Sequence, residues 1–187
     1  TADGNGDWSF TPDSALSAGS HSITAKATDS VGNTSISSSV LFIKVVEEPW
    51  SVMSDRSELD IAVASWITDE AAATSTYGDI NTWDVSAISD FSALFYDKTY
   101  FNSDISNWDV SNGAGFGGMF QEANAFNQDI SSWDVSNAIS FESMFKNADA
   151  FNQGIRSWDV SSGENFYRMF NSADAFNQDI GSWDVSN

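Results

Sequence analysis

Cysteine is absent from the 187 residues, which excludes disulfides and thiolate metal sites. Histidine occurs once, at His21. A Cys–His pair is therefore impossible, and a Ser-His-Asp triad has a single candidate base. Any metal site would be lined mainly by oxygen, the donor set suited to Ca²⁺ or Mg²⁺. Basic residues are scarce, with 7 Lys+Arg against 27 Asp+Glu and a formal net charge of -20. Such a chain lacks the basic footprint that neutralises phosphates, which argues against nucleic acid and against docking on anionic lipid. No apolar run approaches the roughly 18 residues of a membrane span, so no membrane insertion is expected in this segment. The chain begins at Thr1 without Met and stops at Asn187 in mid-pattern, which reads as a fragment with any signal peptide lying upstream.

What the chain does have is apolar content, 41%, enough to bury a core. Much of it recurs. Trp83, Trp108, Trp133, Trp158 and Trp183 stand 25 residues apart, each opening the word Trp-Asp-Val-Ser. An Ile lies three residues before each Trp, from Ile80 to Ile180. Phe91, Phe116, Phe141 and Phe166 follow eight residues after the first four Trp. Leu94 or a Met then precedes Phe95, Phe120, Phe145 or Phe170, and the unit closes on Phe-Asn at Phe101, Phe126, Phe151 and Phe176. A fixed period of this length is the signature of stacked repeats.

Within a unit, Trp-Asp-Val alternates as a short strand does. Phe141, Met144, Phe145 and Ala148 share one helical face, with Ser136 or Asn137 as N-cap. The pattern thus predicts a repeat solenoid of residues 79–187, with one short parallel strand and one short helix per unit and an open C-terminal end. Stacking would place the strands at about 4.8 Å per rung. Gly113, Gly115, Gly117 and Gly118 would weaken the helix of the second unit. Residues 57–78 read as an N-terminal cap and lead-in, with Ser57 as N-cap and Leu59, Ala62, Val63, Trp66 and Ile67 on one face. Residues 47–56 read as a linker containing Pro49, and residues 1–46 as a Ser/Thr/Gly-rich β segment with strands at Trp8–Phe10, His21–Ala27 and Val40–Val46.

These residues carry two resemblances. The word Ile-x-x-Trp-x-Val followed by Phe-x-x-Met-Phe-x-x-Ala resembles the BspA-like surface-protein repeats, relatives of leucine-rich repeats. "FNQDISSWDVSN" is more similar still to the 25-residue repeat of mycoplasma-type surface lipoproteins. "ADGNGDWSFTPDSALSAGSHSITAKATDSVGNTS" resembles the bacterial Ig-like repeats of large adhesins, of which only the later strands of a sandwich are present. The resemblance implies a non-catalytic, extracellular or cell-surface adhesin segment.

Among groups that could carry chemistry, Asp84, Asp109, Asp134, Asp159 and Asp184 recur in register. Strand alternation would turn them outward in a column flanked by Ser111, Ser136 and Ser161 and their equivalents. Two readings stay open: a ligand or Ca²⁺ face, or carboxylates that bond turn amides and water. A second column, Asp79, Asp104, Asp129 and Asp179, is broken at Gly154; Asp104 and Asp129 are its candidate metal ligands. Asp3, Asn5 and Asp7 alternate as at the start of an EF-hand loop, but Ser14 stands where the loop needs Glu. Asn102, Asn127, Asn152 and Asn177 read as a ladder satisfying loop backbone groups. No cofactor is required and no pair of carboxylates is singled out for hydrolysis. The expected partners are a protein, peptide or glycan on another surface, or another copy of the chain. The alternative is a building block of an extracellular fibre, joined through open repeat ends and an incomplete Ig-like domain.

Overall fold

Two units divide the chain at the Glu47-Glu48-Pro49 junction: Thr1–Glu48 and Pro49–Asn187. The computed structural model describes residues 19–23, 26, 28, 32–35, 41–45 and 52–187. In the first unit, β1 (Gly19–Ile23) pairs antiparallel with β2 (Leu41–Val45), with His21 opposite Ile43. A single bridge joins Thr28 to Thr34. Among the described residues there is no second sheet for this ribbon to face, so the expected partial sandwich is not formed there. The strand expected at Trp8–Phe10 lies outside the described residues.

The second unit opens with α1 (Arg56–Thr68) and α2 (Glu70–Tyr77). The N-cap of α1 is Asp55 rather than Ser57: its side chain accepts the Glu58 amide at 2.9 Å. Glu58 reaches back to the amide and hydroxyl of Ser54, at 3.1 and 2.8 Å. Leu59, Ala62, Val63 and Trp66 are buried, whereas Ile67 is left partly exposed at the edge of that face. One turn of 3₁₀-helix, Ile80–Thr82, leads into the repeats.

The repeats stack, but they are not built of strand-plus-helix units. Neither element forms in any of them, and the reason is visible in the backbone. Around Trp-Asp-Val the amides are used locally: Trp133 donates to Ile130 at 3.2 Å and Ala138 to Val135 at 2.9 Å. A strand there would have needed those groups for neighbouring units. Across Phe141–Ala148, Ser143 and Asn147 hold left-handed φ angles of 54° and 56°. Two such residues four apart break the i→i−4 ladder of a helix. A string of turns replaces it. Met144, Lys146 and Ala148 each donate three residues back, to Phe141, Ser143 and Phe145. The intervening amides of Phe141, Ser143, Phe145 and Asn147 donate sideways to Asn165, Tyr167, Met169 and Asn171 of the next unit, at 2.8–2.9 Å. Parallel bridges Asp90↔Gly115, Gly115↔Ser140 and Ser140↔Asn165 mark the register.

The expected inward positions are nevertheless buried: Phe141, Met144, Phe145 and Ala148 are each 0% exposed. A turn string that repeats every four residues turns the same spacing inward as a helix does. The second repeat shows the difference. Gly118 sits at φ 61°, where the other units hold Ala93, Ser143 and Arg168 at 54–58°, so glycine there suits the backbone instead of weakening a helix.

Four aromatic columns fill the interior. Phe95, Phe120, Phe145 and Phe170 follow one another at 5.5–5.6 Å between ring centroids, within 8° of parallel. Phe101, Phe126, Phe151 and Phe176 repeat at 5.8–6.0 Å. Within a unit, Phe120 and Phe126 stack at 3.9 Å. Four indoles of the Trp column meet their polar need by reaching back one unit: Trp108, Trp133, Trp158 and Trp183 donate Nε1–H to the carbonyls of Ile80, Ile105, Ile130 and Ile155, at 2.7–3.2 Å, while Trp83 donates to the Gly78 carbonyl.

Residues 52–53 and α1 close the stack on its N-terminal side. Trp66 meets Trp83 edge-on at 5.9 Å and 89°. Val52 bridges to Asp84, and Met53 donates to the Asp84 carbonyl, so residues within the expected linker pair with the first repeat. The carbonyls of Asp90 and Ser92 correspond to those of Gly115 and Gly117, which accept amides from the unit before. With no earlier unit to supply those amides, the guanidinium of Arg56 does: Nη1 reaches Asp90 O at 2.9 Å and Nη2 reaches Ser92 O at 2.8 Å.

Two stability measurements check this architecture. Trp133→Ala removes a buried ring and an inter-unit bond, and should cost about 3–5 kcal/mol in urea unfolding. Arg56→Met keeps the aliphatic stem but strips the carbonyl cap, and should cost about 1 kcal/mol. In that variant, hydrogen exchange should rise first in α1 and the first repeat.

Candidate functional site

The Trp-Asp-Val-Ser column is where recurring carboxylates meet recurring hydroxyls. Each aspartate Oδ1 accepts the amide of the serine two residues on: Asp84 from Ser86, Asp109 from Ser111, Asp134 from Ser136, Asp159 from Ser161 and Asp184 from Ser186, at 3.0–3.1 Å. In three of them the serine hydroxyl adds a bond of 2.6–2.7 Å to the same oxygen: Ser86 to Asp84, Ser136 to Asp134 and Ser161 to Asp159. These are Asx-turns, the local geometry that Asp and Ser favour. The hydroxyl of Ser136 and then its amide hold the Asp134 carboxyl below the usual carboxylate range, against burial and the charge of Asp159. Ser86, Ser161 and Ser186 act in the same direction on Asp84, Asp159 and Asp184. The column is half-buried at Asp84 and exposed beyond it. It is an acidic surface whose inner oxygens serve the fold, not a flat sheet.

The second column behaves alike. Asp79, Asp104, Asp129 and Asp179 accept the amides of Asn81, Ser106, Ser131 and Gly181 at 2.9–3.0 Å. The amide of Ser131 and then its hydroxyl lower the Asp129 carboxyl. Asp104 spends its other oxygen on Asn81 Nδ2 at 2.9 Å. Where Gly154 interrupts the column, Arg156 takes the serine's place and pairs with Asp179 of the next unit. Among the described residues, no three carboxylate or imidazole groups converge on a point where a metal ion would sit. Asp3, Asn5 and Asp7 lie outside the described residues.

The asparagines form an inter-unit ladder. The Oδ1 of Asn102, Asn127 and Asn152 accepts the amides of Asn127, Asn152 and Asn177, all at 2.9 Å. Gln128, Gln153 and Gln178 each donate Nε2–H back to the carbonyl and side-chain oxygen of the preceding unit's asparagine. Asn112 and Asn137 likewise tie their units to the carbonyls of Ser86 and Ser111, at 2.7 and 2.9 Å.

The turn strings present a different surface, on which the units differ. Ser92, Gly117, Glu142 and Tyr167 occupy one outward position, and Tyr96, Gln121, Lys146 and Asn171 another. Tyr96 and Tyr167 are 47% and 58% exposed. Arg168 lies over the Tyr167 ring at 4.9 Å. A cleft of about 580 Å³ crosses three units where Gly117 and Gly118 leave the face low. The residues that repeat give no sign of this surface. The signal was available in those that do not. A second cleft, of about 470 Å³, lies between Trp66 and the return loop of the first repeat. There Lys98 and Tyr100 replace the alanines of later units, and Tyr100 is 93% exposed.

A family model described as "Mycoplasma protein of unknown function, DUF285" matches residues 62–183, more than half of the chain. The chain belongs to this family. A second model, for a bacterial Ig-like domain, matches residues 1–45. No curated protein and no solved structure matches the chain. The DUF285 match runs from the middle of α1 to the last tryptophan of the column, so it takes in both the capping helices and the repeats.

The Asx-turns predict a pH signature. A carboxyl held low in the fold contributes stability above its unfolded pKa, near 3.9, and loses it as pH falls towards the folded value. Asp134→Ala should lower stability at neutral pH, by under about 1 kcal/mol for so exposed a group. In paired thermal melts, the gap between variant and wild type should narrow as pH falls below the ordinary carboxylate range.

Proposed function

We propose that the chain is a segment of a bacterial surface or secreted adhesin, a non-catalytic binding scaffold that accompanies an Ig-like domain. The observation that carries this reading is the contrast between the two faces of the repeats. The Trp, Phe and Asn positions recur and are spent on stacking the units, and the Asp-Ser positions recur and are spent on local turns. The outward turn positions change from Tyr to Gln to Lys to Asn, and from Ser to Gly to Glu to Tyr. Backbone hydrogen bonds hold each turn in place whatever its outward side chain, so this face is free to be shaped for a partner. An extended face of this kind is the binding surface that repeat proteins use. Membership of the mycoplasma DUF285 family supports the same reading, as does the Ig-like match. A net charge of -20 favours solubility and steers association through its ionic-strength dependence.

The test compares the two faces. Beads coated with the chain should attach to bacterial or animal cell surfaces. Replacing Tyr96, Lys146 and Tyr167 together by Ser should reduce attachment by about tenfold or more. Replacing Asp109 and Asp134 by Asn should leave it within about twofold, because Asn still accepts the serine amide. Attachment that survives the first set and fails with the second would refute the assignment of binding to the turn face.

A further inference from the structure

The glycines of the second repeat have different causes. At Gly113 a Cβ would lie 2.5 Å from the Phe116 ring, and at Gly115 it would lie 2.7 Å from Asp90 Oδ1, so both positions are crowded. Gly117 and Gly118 are not explained this way. A Cβ at Gly117 would meet nothing closer than 3.7 Å, and at Gly118 nothing closer than 3.5 Å. The left-handed φ of Gly118 is held by Ala93, Ser143 and Arg168 in the other units, so it does not demand glycine either. The fold accepts side chains at both positions, and only this unit omits both. What the pair does is open the cleft of about 580 Å³ between the first and third repeats, within the size range of small-ligand sites.

The walls of the cleft are hydroxyls, an amide, a carboxylate and a phenol ring. Tyr96 stands on one side, half exposed, in place of the polar residues of later units. Its hydroxyl and the Gln121 side-chain amide have no hydrogen-bond partner among the described residues. Ser92 and Ser140 add hydroxyls, and Glu142 accepts from Asn165 at 3.0 Å. Among the described residues no cation lines the cleft, and the strongly negative chain repels anions. An aromatic face beside groups that both donate and accept suits a ring that is apolar on its faces and hydroxylated at its rim.

We infer that the Gly117–Gly118 cleft is a binding site for a neutral glycan, with a sugar ring against Tyr96 and its hydroxyls on Gln121, Glu142 and the serines. The inference rests on the binding-scaffold reading and gives that scaffold a ligand class. A shallow site of this size predicts weak affinity per sugar, raised where a polymer presents many copies.

The experiment is affinity electrophoresis of the whole chain through gels containing dextran, laminarin, mannan or arabinogalactan, with alginate as the anionic control. At least one neutral polysaccharide should retard the chain, and alginate should not. Gly117→Tyr installs the residue that the fourth repeat carries at this position and fills the cleft; Tyr96→Ala removes the platform. Each should weaken retardation by about tenfold or more while the thermal midpoint stays within a few degrees of wild type. The inference is overturned if no neutral polysaccharide retards the chain, if alginate binds as strongly, or if Gly117→Tyr and Tyr96→Ala fold and bind like wild type. Coated beads that attach to cells when no polysaccharide binds would remove the glycan and leave the adhesin reading standing.

Discussion

A turn that closes its own three-residue hydrogen bond can still offer the next amide sideways. The second unit of this chain depends on that fact. Each of the first three turn strings satisfies alternate amides within itself and gives the others to the following repeat, as with Phe145 to Met169 and Asn147 to Asn171. Neither continuous strand nor helix is needed to pair the backbone, because turn and ladder share the work residue by residue. The cost is a left-handed residue every fourth position, seven of them not glycine across the four turn strings. Such residues are disfavoured by about 1–2 kcal/mol each unless their surroundings over-determine them. Here the surroundings do so, through stacked rings on one side and inter-unit bonds along the edge.

The same constraint separates scaffold from surface. A repeat held by backbone bonds, Asn and Gln ladders and indole-to-carbonyl bonds fixes the identity of its inward and lateral residues. It leaves the outward turn positions unconstrained. That is why the recurring aspartates, the most regular polar feature, are engaged in Asx-turns, whereas the variable turn face holds the unspent polar groups of Tyr96 and Gln121. The capping end follows the same logic. Arg56 supplies to Asp90 and Ser92 the donors that a preceding repeat would have supplied.

The period, the inward residues and the buried cap face were legible in the sequence, because burial follows spacing and spacing is directly visible. Phe141, Met144, Phe145 and Ala148 are inward as expected. The element type was not legible. A helix and a string of turns with a left-handed residue every fourth position bury the same set, and Ser143 and Asn147 carry no mark that distinguishes them from helix residues. The strand at Trp-Asp-Val failed for a related reason: alternation reports sidedness, but the amides on either side close local turns. Asp55 displaced Ser57 as the cap because its carboxylate stands three residues before the free amide of Glu58. The aspartate columns were visible, and so was the possibility that turn amides engage them. In a helix Gly117 and Gly118 would be a flaw; in a turn string the left-handed φ of Gly118 suits glycine.

The claim beneath all of this is that alternate amides of the turn strings reach the next repeat and not a carbonyl four residues back. NMR couplings transmitted across hydrogen bonds report each donor's acceptor directly, and Phe145 is the residue to measure. The account predicts a coupling from the Phe145 amide nitrogen to the carbonyl carbon of Met169, with Ser143 coupled to Tyr167 in the same spectrum. A coupling from Phe145 to the carbonyl of Phe141 would instead place a helix in each repeat and contradict the account.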